Sequence, residues 1–134
     1  MSQKTNMLNI ISETRNYYVA QDEPFGWDKS EEICVYIDGC TGARCAVGRY
    51  LNDTHAKGFD NYLQDYSARD LVEMDALTVN APVHFWNDLQ SIHDHCAERE
   101  CGTANFDNDA RERMSEQLDR LAKRVLAGGY DLSQ

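Results

Sequence analysis

Positive charge is scarce in this chain. Thirteen Lys and Arg stand against 23 Asp and Glu over 134 residues, a formal net charge of −10. So acidic a chain repels bare nucleic acid and anionic lipid, so no direct nucleic-acid or membrane partner is expected. Long apolar runs are missing as well. None approaches the ~18 residues of a membrane span, and the start Met1-Ser2-Gln3-Lys4-Thr5-Asn6 carries no apolar core of an export signal. The expected compartment is therefore cytoplasmic. The five cysteines, an odd number, are expected as reduced thiols.

Other absences narrow the chemistry. No C-x-x-C knuckle occurs. There is no G-K-[ST] and no strand leading into G-x-G-x-x-G, so no phosphate loop can be drawn around Gly39, Gly42 and Gly48. Internal repeats and low-complexity segments are also lacking. What remains is a globular composition, 42% hydrophobic, long enough for one core without a disulfide or metal staple. Residues 1–134 read as a single domain.

Apolar periodicity predicts a helix from Thr5 to about Gln21, with Leu8, Ile11 and Tyr18 on the stripe and Met7, Ile10 and Tyr17 widening it. Thr5 or Asn6 is placed to cap its start, and Pro24 with Gly26 to close it. The segment 58–80 reads as one or two short helices, the second capped by Ser67. Pro82 suits the first turn of the next helix. Phe85, Leu89, Ile92 and Cys96 then form an i, i+4, i+7, i+11 stripe with Trp86 and His93 beside it, running to about Arg99. A last helix from Asn108 or Asp109 buries Met114, Leu118, Leu121 and Val125, and Gly128-Gly129 ends it.

The densest segment lies between these helices. Residues 34–48 hold three cysteines, three glycines and two apolar runs. Alternation at 33–37 predicts a short strand, Asp38 to Gly42 carry turn chemistry, and Ala43 to Val47 are expected to return as a second strand. Two registers stay open, one with Cys34 opposite Cys45 and one with Tyr36 opposite Cys45. The fold class expected is α+β, mostly helical, with four or five helices around one short β-hairpin and the 83–99 helix at the centre.

Three kinds of chemistry are suggested: a structural zinc, a hydrolytic centre and a binding end. Cys34, Cys40 and Cys45 could meet Cys96, Cys101 or His95 around zinc, but the spacing is poor and free cysteines pack well in cores; no metal is expected. Cys45 with His93 and Asp94 could form a nucleophile, base and orienting acid. His93-Asp94 also echoes the metal-binding dipeptide of HD phosphohydrolases, with His55 or His84 and Asp109 or Asp119 as further ligands. For both, a packed seam is the plainer reading, so no catalytic residue and no cofactor is assigned. The third is a binding end. Arg44 and Arg49 flank the glycine-rich return, and arginine is the natural clamp for phosphate. Gly42 and Gly48 can offer backbone amides there. Among Tyr17, Tyr18, Phe25, Trp27 and Tyr36, Trp27 is the aromatic best placed to stack on a ring.

The ordered set Cys34-Val35-Tyr36, Gly42-Ala43-Arg44-Cys45-Ala46-Val47-Gly48, Asp53 and Leu89-Gln90-Ser91-Ile92-His93-Asp94 resembles a family of small phage and prophage proteins. That family shares a C-x-Y strand, a D-G-x-x-C-A-x-G return and L-Q-x-x-H-D on a helix. The likeness spans roughly residues 10–96. Two departures stand out: Cys40-Thr41-Gly42 lengthens the turn after Asp38-Gly39, and Leu51-Asn52-Asp53 replaces an Ile-Pro-Asp loop. The resemblance implies a phage accessory protein acting in the bacterial cytoplasm and supplies no catalytic residue.

With the acidity and the weak case for an active site, the expected function is a counter-defence binding protein. It would sequester a small anionic, nucleotide-like immune signal at Arg44, Arg49, Gly42, Gly48 and Trp27, or block a host defence protein through its acidic surface. A sponge of that kind is expected to be a homo-oligomer. The alternatives are a small metal- or cysteine-dependent hydrolase using Cys45, His93 and Asp94, and a virion structural or assembly protein.

Overall fold

The computed structural model describes residues 2–21, 23, 25–28, 33–34, 44–52, 67–101 and 110–130. Four α-helices carry them: α1 (Gln3–Arg15), α2 (Ala68–Glu73), α3 (Val83–Cys101) and α4 (Ala110–Leu126).

Helix α1 begins one turn earlier than the Thr5 or Asn6 cap predicts. Ser2 is the N-cap, and its hydroxyl accepts the Thr5 N–H at 3.1 Å. Met7, Ile10, Ile11 and Thr14 are buried at 3–4 spacing, and the Thr14 hydroxyl donates back to the Ile10 carbonyl. The chain then widens into a π-helical turn, Asn16–Ala20, that brings Tyr18 into the core. Such turns are uncommon and concentrate at functional positions.

Helix α2 starts with a capping box in which Ser67 and Asp70 satisfy each other's backbone N–H, so Ser67 caps as its sequence position predicts. The helix expected before it falls outside the described residues. Helix α3 leaves Pro82, whose carbonyl accepts the Phe85 and Trp86 N–H groups. Its buried face is Phe85, Trp86, Leu89, His93, Cys96 and Ala97. Ile92 sits at the border of that face, only partly buried. Helix α4 buries Ala110, Met114, Leu118, Leu121 and Val125. Gly128 at φ 77° and the Gly129 N–H on the Arg124 carbonyl close it, the left-handed stop expected of Gly128-Gly129.

The hairpin is the correction. The described residues are mostly helical and show no β-hairpin, so the α+β class built around one does not hold; residues 38–42, its expected turn, lie outside them. Where a return strand was expected, Cys45, Ala46 and Val47 are all fully buried, whereas a half-buried strand would alternate. Residues 46–47 form a turn that tightens into a 3₁₀ segment, Gly48–Tyr50. Arg49 N–H reaches the Cys45 carbonyl and Tyr50 N–H the Val47 carbonyl. Arg44 instead meets Phe25 in a single parallel bridge. Ile33–Cys34 pairs backwards with Trp27–Asp28, a two-residue contact that builds no sheet layer. Both expected registers, with Cys34 or Tyr36 opposite Cys45, required a strand at 43–47. Tyr36, Cys40 and Gly42 lie outside the described residues.

One core joins these pieces. Helix α4 packs on both α3 and α1, and α2 packs on α3. Among the described residues no helix is long and apolar enough to cross a membrane.

Because Leu89 is fully enclosed and Ile92 is not, truncation separates them. Leu89→Ala is expected to cost about 2–5 kcal/mol in denaturant unfolding, and Ile92→Ala distinctly less, about 1–2 kcal/mol. Equal losses at the two positions would mean that the buried face of α3 is assigned wrongly.

Candidate functional site

Two groups of side chains meet where α3, the 44–50 turn and the π turn converge. The first is a polar seam. His93 is fully buried, and its Nε2 accepts the Gly26 N–H at 3.1 Å. The ring proton must then sit on Nδ1, which donates to Asp94 Oδ1 at 2.9 Å. Gln90, one helical turn before Asp94, donates to the same carboxylate oxygen at 2.7 Å and accepts the Val47 N–H at 3.2 Å. Gln90 also faces the Cys45 thiol, whose Sγ accepts the Gly48 N–H at 3.2 Å.

The seam therefore does bring Cys45, His93 and Asp94 into one network, but not as a reacting set. Burial pushes the Cys45 thiol up to about 12, and Asp94 adds to the rise. A thiol so raised supplies almost no thiolate at neutral pH. His93 has both nitrogens engaged, and burial, opposed by Asp94, holds it below the ordinary imidazole range. It is a neutral, tautomer-fixed acceptor for a backbone amide rather than a base for Cys45.

The second group surrounds Arg49. Its guanidinium carbon lies 4.3 Å from the Tyr17 ring centroid, 5.3 Å from Tyr50 and 6.0 Å from Tyr18. One guanidinium nitrogen, Nη1, is buried without a hydrogen-bond partner. The Tyr50 hydroxyl donates to Glu13 Oε1 at 2.9 Å, and burial raises the pKa of Tyr18 and Tyr50, so both rings are neutral. Two of the three rings, Tyr17 and Tyr18, come from the π turn.

The other predicted site residues divide. Arg44 is half-buried; its carbonyl accepts the Tyr18 hydroxyl and its backbone bridges Phe25. The Gly48 N–H is turned to Cys45 Sγ, so it cannot serve as a ligand amide in this conformation. Gly42 lies outside the described residues, as does the side chain of Trp27, whose backbone pairs with Cys34. His55 and Asp109, of the metal alternatives, are also outside. Among the described residues no three His, Cys, Asp or Glu side chains gather as a metal site.

Sequence reasoning missed Gln90 and Tyr50. Gln90 had a signal, since Gln90 and Asp94 stand at i, i+4 on one helix face. The pairing of Tyr50 with Arg49 had none, because it depends on the 3₁₀ turn. Arg111 was missed as well: it lies over Phe25 and donates to the Tyr18 and Glu23 carbonyls.

No protein-family model matches the chain, and neither a curated protein nor a solved structure does.

The seam makes stability depend on pH. His93 is neutral in the fold, while in the unfolded chain it titrates near 6.5. As pH falls through about 6.5, the unfolded state takes up a proton that the fold excludes, so stability drops, by at most about 1.4 kcal/mol per pH unit for this group. Unfolding free energies measured from pH 8 to pH 5 are expected to show that loss, and His93→Gln to flatten it. Cys45 and Cys96, both buried, are expected to react with a thiol reagent only on unfolding.

Proposed function

We propose that this is a phage accessory protein that acts in the host bacterial cytoplasm as a counter-defence binding protein. It captures a small anionic, nucleotide-like ligand. The observation that carries this reading is Arg49, a cation set among three tyrosine rings with one guanidinium nitrogen left unpartnered. A ring face for a base next to a guanidinium for a phosphate is the chemistry such a ligand needs. Tyr17 is only half-buried, and it is the ring of the group left partly exposed to a ligand.

The binding reading is favoured over the hydrolase by the seam, where Cys45 and His93 are buried and their polar atoms are paired. The source and the counter-defence role rest on the resemblance of the Cys45–Gly48 and Leu89–Asp94 motifs to small phage proteins. Blocking of a host effector by the acidic surface is the mode that remains if Arg49 binds nothing.

Isothermal titration with a cyclic dinucleotide and a nucleoside monophosphate tests the site. Arg49→Ala is expected to weaken the tighter of the two by tenfold or more, as loss of a charge-assisted hydrogen bond does. Its stability is expected to fall by only about 1 kcal/mol, the worth of the cation–π contacts. Mass spectrometry of small molecules released from protein expressed in a defended host identifies the natural ligand. No binding of either probe and no co-purifying nucleotide would remove Arg49 as the site.

A further inference from the structure

A second cleft is lined by none of the residues of the Arg49 group, though Tyr50 of that group packs on its Trp86. It measures about 330 Å³ and lies between the end of α2, the 75–81 connection and the first turn of α3. Val72, Leu77 and Val79 line it along with Asp75, Asn80 and Trp86. Trp86 is fully buried, and its indole Nε1–H has no hydrogen-bond partner. A buried donor left unpaired is costly, and bulk water does not reach this one. On the same wall Asp75 follows the C-cap of α2 at φ 55°, a left-handed stop that aspartate adopts more readily than most residues. Its side chain is exposed. No lysine or arginine is among the described residues that line the cleft.

We propose that this cleft binds a small uncharged ring compound that accepts a hydrogen bond from Trp86 Nε1 and donates one to Asp75. The class follows from the lining. A carboxylate without a basic neighbour turns anions away, and the apolar side chains of Val72, Leu77 and Val79 strip water from any full charge. A flat heterocycle with an acceptor and an N–H on one edge fits both polar groups and the apolar walls. Leu77 and Val79, both half-buried, border the cleft with Trp86, and binding requires the buried indole Nε1 to be uncovered, giving it the partner that solvent does not supply.

The site is independent of the Arg49 reading and is tested separately. The chain has two tryptophans, so a ¹⁵N–¹H correlation spectrum of the whole protein holds two indole signals, assigned by losing one in Trp27→Phe. Adenine, uracil and nicotinamide are titrated in turn. The expected result is that at least one moves the Trp86 indole signal downfield to saturation and leaves that of Trp27 in place. Asp75→Asn, which keeps a residue tolerant of positive φ, is expected to weaken that binding about tenfold. A Trp86 signal unmoved by all three probes, or one moved by inorganic phosphate instead, overturns the proposal, as does unchanged affinity in Asp75→Asn. Arg49→Ala is expected to leave the titration unchanged.

Discussion

Two side chains of α3 hold the irregular half of this protein in place. Gln90 takes the Val47 N–H and His93 takes the Gly26 N–H. Both amides belong to stretches outside any α-helix, and a buried amide without a partner is rarely tolerated. Once those bonds are made, the rest assembles around them. Phe25 stacks on Tyr18 with ring centroids 5.1 Å apart, Tyr18 donates to the Arg44 carbonyl, and Arg44 bridges Phe25. Arg111 of α4 clamps the Tyr18 and Glu23 carbonyls from the other side. The Arg49 group depends on the same anchoring, since Tyr18 and the 48–50 turn are both part of it.

That dependence gives a physical reason for the two sequence motifs to occur together. Cys45-Ala46-Val47-Gly48 is a buried turn with polar backbone to satisfy, and Leu89-Gln90-Ser91-Ile92-His93-Asp94 supplies the core leucine and the Gln90 amide that takes the Val47 N–H, while its imidazole takes the Gly26 N–H of the neighbouring stretch. A cysteine, a histidine and an aspartate brought together in this way look like nucleophilic machinery when written as a list. Burial decides otherwise. A fully enclosed thiol resists ionisation, and an imidazole with both nitrogens engaged has no lone pair to offer. The residue types that make a triad also make a dry hydrogen-bonded seam, and only the third dimension tells the two apart.

Much of the helical frame could be read from the chain, because periodicity records which face is buried. The stripes of α3 and α4 and the Ser67 cap follow directly from spacing. Ile92 was placed on the stripe of α3 by spacing but lies at the edge of the face, which shifts toward Trp86 and His93. The hairpin failed for a definite reason. Cys45, Ala46 and Val47 are small and apolar, which suits a strand, yet all three are fully buried in a turn, and a short apolar run does not distinguish the two. Arg49 was picked out by its type. Its tyrosine surroundings were not, because they need a π turn and a 3₁₀ turn that no residue pattern announces.

The acidity of the chain and the cation at Arg49 are compatible because they act over different ranges. Exposed carboxylates repel an anion at a distance, but salt at about 0.1–0.15 M screens that field within about 8–10 Å. At contact, the local partners decide. Ring faces hold an arginine with roughly 0.5–2 kcal/mol, less than a charge-assisted hydrogen bond to a phosphate oxygen provides. The rings around Arg49 thus stabilise its charge without saturating its donors, and Nη1 remains unpaired. An anion would have to uncover that buried nitrogen to gain a bond that the protein does not make for itself, whereas one held at the surface gains only repulsion. Selectivity in such a site would come from depth: it would favour a compact anion carrying a flat ring, able to lie against Tyr17, over polymeric nucleic acid, whose neighbouring phosphates stay in the repulsive field.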